Sequence, residues 1–395
     1  MRCKSHAAFA LILQLTINRC FFMSATTTSQ PVLRDVQFKH NFNAGPSILP
    51  REVFEEASRA ILDFNGTGLS VLEIGHRTKL FEAVRDEAVA LMKELMQFDA
   101  DHEVLFLHGG ASTQFFQVPM NLLDEKGTAA YTDTDVWGAK GIKEAKLFGQ
   151  VNVVASSKAE NYTYLPKSFS VRGDEAYLHL TTNNTIYGTQ WHDLSPFYNT
   201  GVPLVADMSS DILSRRLDFN RFALTFAGAQ KNIGAAGVNV VIVNKNILGK
   251  TTRNIPTMMD YREHIAAGSM LNTPPVFAIY VCMLTLRWLK SIGGIAEAEA
   301  RNNKKAALLY DTIDRYPLFN GTAAKEDRSK MNVCFMMADA ALESEFLQLC
   351  KSAGIVGITG HRAVGGFRAS LYNALPYESV VVLTDVMKAF AETKG

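Results

Sequence analysis

Apolar residues follow two rhythms along this chain. At residues 51–64 they recur at helical spacing (Val53, Phe54, Ala57, Ile61, Leu62), and residues 79–98 repeat that pattern. Short continuous runs then appear at 103–107, 127–132, 151–156, 176–181, 202–206, 224–227 and 238–243, each a strand candidate. Helical or loop segments separate them, the first being 114–123. Short apolar strands alternating with helices predict an α/β fold, a large domain whose mostly parallel sheet is covered by helices on both faces. A long helix is expected around 277–291, after which Gly293, Gly294 and the charged stretch 297–305 mark a boundary. Beyond it a helix, a strand (331–336), a helix (342–353) and a final helix (380–392) make a smaller α+β unit. The expected division is an N-terminal extension, 1–40, a large domain, 41–296, and a small C-terminal domain, 297–395.

Composition narrows the function classes. At 395 residues the chain exceeds one ordinary domain. Its 40 basic and 39 acidic residues leave a formal charge of +1, and no basic run stands apart from acids, so no nucleic-acid surface is expected. Attraction of a charged substrate must therefore be local. The five cysteines (Cys3, Cys20, Cys282, Cys334, Cys350) are widely spaced without a CxxC, which argues against a disulfide framework or a metal site and for a reducing, cytoplasmic setting. Arg2 and Lys4 precede an apolar run at 7–13, and no acid occurs before Asp35. That reads either as a targeting peptide or, preferred here, as a start placed too early, with Met23 opening the protein. No apolar run is long enough to span a bilayer, so no membrane association is expected.

The candidate chemistry sits at strand ends. Asp207 closes the run at 202–206 and Lys231 follows the run at 224–227. A lysine amine that condenses with an aldehyde must be held near a cofactor and able to lose its proton. A buried carboxylate beside a pyridine nitrogen favours the protonated ring that accepts electrons. The pair reads as a pyridoxal phosphate site. At the turn 109–113, Gly109, Gly110, Ala111 and Ser112 stand where a helix begins, and its free amides suit a phosphate. Trp137, past the strand 127–132, can stack on a flat ring. Thr185, past the strand 176–181, offers a hydroxyl to a ring oxygen. Each of these alone is as readily a turn or a core residue. Together they follow five separate strands, and parallel sheets bind ligands outside the carboxyl ends of their strands.

From about Phe42 onward the chain resembles the phosphoserine aminotransferases, a family of fold-type I pyridoxal phosphate enzymes in aminotransferase class V. The resemblance rests on NAGPS at 43–47, GHR at 75–77, HGGASTQF at 108–115, VPMNLL at 118–123, GAQKN at 228–232, NTPP at 272–275 and GHRAVGGFRAS at 360–370. It implies that Lys231 forms the Schiff base, Asp207 meets the pyridine nitrogen, Trp137 stacks on the ring and Thr185 bonds its oxygen. It further implies that Ala111, Ser112 and Gln230 bind the cofactor, and that Asn272 and Thr273 reach its phosphate from the partner subunit of a homodimer with shared active sites. Some family members have an arginine where this chain has Ser112, so substrate phosphate must here rely on other groups.

The implied substrates are phosphoserine with 2-oxoglutarate and, in reverse, 3-phosphohydroxypyruvate with glutamate, exchanged by a ping-pong route in L-serine biosynthesis. The resemblance leaves open whether the 4-phosphohydroxythreonine step of pyridoxine synthesis is also served. A substrate with a carboxylate at one end and a phosphate at the other needs two separated cationic groups. Arg368 suits the carboxylate, because a guanidinium grips it through two parallel hydrogen bonds. His76, Arg77, His361 and Arg362 suit the phosphate, and the family supplies Arg77 from the neighbouring subunit. The alternative is another fold-type I enzyme, such as a cysteine desulfurase or a lyase. A desulfurase needs a nucleophilic cysteine on a mobile loop, whereas Cys334 falls in a strand-like run and Cys350 on a helix.

Overall fold

The computed structural model describes residues 38–394. The stretch 1–23, read above as a targeting or early-start segment, lies outside the described residues. The elements are β1 (His40–Asn41), α1 (Arg51–Leu62), α2 (Lys79–Met96), β2 (His102–His108), α3 (Ala111–Leu122), β3 (Thr128–Asp133), α4 (Val136–Ala145), β4 (Gln150–Ser156) and β5 (Leu178–Thr181). Then come α5 (Ser195–Tyr198), β6 (Leu204–Asp207), β7 (Leu224–Gly228), β8 (Val238–Asn244), α6 (Tyr261–Ala266), α7 (Val276–Ser291) and α8 (Gly294–Arg315). The remainder is β9 (Phe319–Gly321), β10 (Asn332–Met337), α9 (Glu343–Ser352), β11 (Ile355–Val356), β12 (Phe367–Ser370) and α10 (Tyr377–Lys394).

Seven strands form the main sheet in the order β2-β8-β7-β6-β5-β3-β4. Neighbours from β7 to β4 are parallel, and β8 pairs antiparallel with both β7 and β2. Two reversals bring β2 back into the common direction, so β8 alone runs against the rest. The carboxyl ends of β2, β3, β5, β6 and β7 consequently share one edge, and the candidate residues follow those ends.

Alternation of side chains explains why these runs are continuously apolar. Val104 and Phe106 of β2 enter the core beneath α1, α2 and α7, whereas Leu105 and Leu107 enter the core beneath α3 and α4. In β6, Leu204 and Ala206 face the first core and Val205 the second. Helix α7 is buried nearly all round, from Ala278 to Leu289. Each fully buried side chain such as Ile279 or Leu286 contributes roughly 1.5–3 kcal/mol. Among the described residues, no single helix is long and apolar enough to cross a membrane.

A third core joins the second half of α8, the three-stranded sheet β12-β10-β9, α9 and α10, and it takes in Phe42 from the N-terminal segment. The charged stretch 297–305 lies within the 22-residue helix α8. Its buried face is Ile295, Ala298, Asn302, Lys305, Ala306, Leu309 and Ile313. Two polar residues stand at buried positions, so the apolar rhythm breaks where the helix does not. Lys305 is 1% exposed and donates to the carbonyls of Leu371 (2.8 Å), Tyr372 (2.8 Å) and Leu375 (3.2 Å). Burial pushes its ammonium down to about 7.

Candidate active site

The turn after β2 is built for a helix start. Gly109 has φ +89°, and a Cβ there would come within 2.5 Å of Thr113 Oγ1, so a side chain fits neither backbone nor space. Gly110 then caps α3 without any side-chain hydrogen bond, leaving the first amides of the helix to whatever lies in front of them. On the next strand ends, Asp135 caps α4 by accepting from Gly138 N at 2.5 Å. This places Trp137 in the first turn of α4, with Lys140 Nζ 4.2 Å from its ring centre. The indole Nε1 is buried and unpartnered.

These ends surround a cavity of about 260 Å³. Ala111, Ser112, Trp137, Thr185, Asp207, Gln230 and Lys231 all line it. Lys231 Nζ donates to Thr185 Oγ1 at 2.9 Å, and Asp207 Oδ1 accepts from Ser209 N at 2.9 Å. The segment at 43–47 runs along the lysine: Ser47 N donates to Gln230 O at 2.9 Å and Ser47 Oγ to Lys231 O at 2.5 Å. Asn183, Ser209 and Ser210 also line the cavity and were not anticipated. Ser210 Oγ donates to Asn183 O at 2.9 Å, and Ser209 Oγ accepts from Gly228 N at 3.2 Å, tying β5, β6 and β7 together at their ends. The readable signal was the Ser209-Ser210 pair two places beyond Asp207.

Burial shifts three charges here. It lowers Lys231 to about 8, opposed by the Asp207 carboxylate and assisted by the Arg368 charge. It raises Asp207, opposed by the hydrogen bonds from Ser209. It pushes Asp135 up to about 7, against the Gly138 amide and with the Asp207 charge adding to the rise.

The cationic residues divide into two groups. Arg368, on β12, donates from Nη1 to Thr185 O at 3.2 Å, while its Nε is buried and unpartnered. His361 is half-buried, and burial lowers its pKa, followed by the charges of Arg368, Arg362 and Lys140. Those four side chains therefore form one electropositive cluster beside the cavity. Lys140 was missed in the sequence because a single lysine on a helix carries no signal. His76 and Arg77 lie in the turn between α1 and α2 and do not line the cavity; Arg77 is exposed and His76 Nε2 is buried without a partner. Asn272 and Thr273 also stand outside it, with Thr273 O accepting from His108 Nε2 at 2.6 Å.

A family model described as aminotransferase class-V matches residues 39–383. The phosphoserine aminotransferase of Flavobacterium johnsoniae is 57% identical over 352 residues, covering 89% of this chain and 98% of that one. The chain belongs to the phosphoserine aminotransferase family. Among solved structures, the phosphoserine aminotransferase of Bacillus circulans subsp. alkalophilus is 45% identical with a TM-score of 0.87, covering 90% of this chain and 99% of that one. The pyridoxal-phosphate-bound phosphoserine aminotransferase of Trichomonas vaginalis is 35% identical with a TM-score of 0.84, covering 89% and 99%. This aminotransferase takes pyridoxal phosphate as its cofactor.

The three described cysteines of the aminotransferase are unlike the nucleophile of a desulfurase. Cys282 on α7, Cys334 on β10 and Cys350 on α9 are buried and free, and burial pushes each thiol up to about 12. A thiolate nucleophile is not available at neutral pH from any of the three.

Proposed function

We propose that the chain transfers an amino group between phosphoserine and 2-oxoglutarate, reversibly, in L-serine biosynthesis, using the cavity around Lys231. The observation that carries this reading is the juxtaposition of a cofactor-sized cavity, holding Lys231 and Asp207, with the cluster Arg368, His361, Arg362 and Lys140. Pyridoxal phosphate fits the residues present. The uncapped start of α3 suits its phosphate, the unpartnered indole of Trp137 lies among the lining groups, and the buried Asp207 lacks a cationic partner other than Lys231.

Ala111, Ser112 and Gln230 would hold the cofactor, Trp137 would cover its ring, Thr185 would bond the ring oxygen, and Asp207 would meet the pyridine nitrogen. The bound ring supplies an electron sink for the substrate α-carbon. Lys231 Nζ, lowered to about 8, is basic enough to take the α-proton and acidic enough to give it back near neutral pH. Arg368 orients the substrate carboxylate from a position already fixed by Thr185 O. His361 and Arg362 then face the far anionic end, either the phosphate of phosphoserine or the side-chain carboxylate of glutamate. One pocket thus serves both half-reactions.

Arg362→Ala tests this assignment. Loss of a charge-assisted bond is worth about 1.5–3 kcal/mol, and for an exposed arginine the lower end applies. The KM for phosphoserine should rise about tenfold, with that for alanine unchanged. Equal effects on the two donors would remove Arg362 from the pocket.

The active unit in this reading is a homodimer, in which the partner's Arg77 joins the phosphate pocket and the partner's Asn272 and Thr273 join the cofactor phosphate. Among the described residues, six of the eleven exposed large apolar side chains (Phe54, Ile61, Leu62, Leu69, Leu72, Leu80) fall in the stretch that contains His76 and Arg77, a concentration typical of a contact surface. Sedimentation at twice the chain mass of 43.6 kDa is expected, and a monomer that is fully active would refute the shared site. The division into a large unit at 41–296 and a small one at 297–395 is supported by the third core, which draws nearly all its residues from beyond 305. Buried free cysteines support a cytoplasmic setting.

A further inference from the structure

A second cavity, of about 280 Å³, shares no lining residue with the one around Lys231. Its walls come from the stretches after β5 and β6, from α8, and from Lys330 and Met331 at the entry to β10. Three cationic side chains line it, Arg215, Arg216 and Lys330; Arg216 pairs with Glu299, also on the wall, at 2.7 Å, and Arg215 with the buried Asp211 at 3.4 Å.

Two polar atoms on these walls have no partner. The Arg215 guanidinium is held in place by Nη1 donating to His192 O at 3.1 Å and Nη2 to Trp191 O at 2.6 Å, with Asp211 Oδ2 at 3.4 Å. Its Nε is buried and unsatisfied. Asn302 is 2% exposed, and its amide nitrogen donates to Ser214 O at 3.1 Å and Asn373 Oδ1 at 2.8 Å. Both of those partners are acceptors, so the amide cannot be turned over, and Oδ1 is left as the unsatisfied atom. A buried polar group without a partner destabilises the fold. One donor and one acceptor in that condition, on two side chains that line the same cavity as Lys330, call for a ligand with an anionic group beside a hydrogen-bond donor. A simple inorganic anion meets Arg215 and leaves Asn302 unanswered.

We propose that this cavity binds a small α-amino acid, its carboxylate toward Arg215 and Lys330 and its ammonium toward Asn302 Oδ1 and Glu299. This site is independent of the transamination reading. The test is calorimetry on the holoenzyme with its Schiff base reduced by borohydride, so that no added amine can displace Lys231. L-serine, glycine and inorganic phosphate are titrated separately into wild type and Lys330→Glu. Lys330 is exposed and its side chain takes no part in the core, so the variant should keep the wild-type melting temperature and kcat/KM for phosphoserine. Saturable binding of both amino acids to wild type, weakened at least about tenfold in Lys330→Glu through loss of a charge-assisted contact, is the expected result. The absence of saturable binding, amino-acid affinity unchanged by the substitution, or phosphate binding that the substitution weakens as strongly as it weakens the amino acids would each overturn the proposal.

Discussion

Lys231→Ala is expected to lower kcat for phosphoserine by at least about 10³-fold, since positioned proton transfer alone contributes about 10²–10⁴-fold and the covalent attachment is lost with it. Visible absorption from the bound cofactor should vanish as well, and the chain should still fold, because the lysine amine makes a single hydrogen bond, to Thr185. The same amine sets a pH dependence in the wild type. With its pKa lowered to about 8, Lys231 is an ammonium below that value and a nucleophilic amine above it. The rate at which cofactor-free protein takes up pyridoxal phosphate should therefore rise with pH, with a midpoint near 8. A midpoint above 10, the ordinary range of a solvated lysine, would mean that Lys231 is not in the environment described.

Asp207→Asn is expected to reduce kcat by about 10²-fold or more while leaving the cofactor-free protein at least as stable as the wild type. The substitution keeps the volume and an oxygen for the Ser209 amide but removes the charge. An opposite charge at close range shifts a titrating group by about 1–3 units, and roughly two units at 1.36 kcal/mol each give the predicted loss. Stability moves the other way. Burial raises the Asp207 pKa, so the ionised carboxylate is unfavourable in the folded chain, and that cost disappears with the amide. The two readouts separate chemistry from folding. Wild-type kcat in the variant would show that Asp207 does not act on the cofactor, and a large drop in melting temperature would show a structural role instead.

The strand ends were legible because parallel strands buried on both faces read as short apolar runs, and the residue after each run stands at the ligand edge. Asp207, Thr185, Trp137 and Lys231 were found that way and line one cavity. The direction of β8 was not legible, since an apolar run records burial and says nothing of orientation. The buried face of α8 was not legible, because Asn302 and Lys305 put polar groups on it whose partners are backbone carbonyls and an asparagine far along the chain. Lys140 joins the site through tertiary placement alone. His76, Arg77, Asn272 and Thr273 were named through family resemblance, and a single chain leaves them outside its own cavity.

The most direct measurement of the central claim is a coupled assay of the purified holoenzyme with 2-oxoglutarate as acceptor and phosphoserine, cysteine and alanine as competing donors. Phosphoserine should be favoured in kcat/KM by at least about 10²-fold over both of the others, because only it brings a second anionic group to His361 and Arg362, and two charge-assisted contacts at about 1.5 kcal/mol each give that ratio. Comparable values for all three donors, or preferential turnover of cysteine, would contradict the assignment.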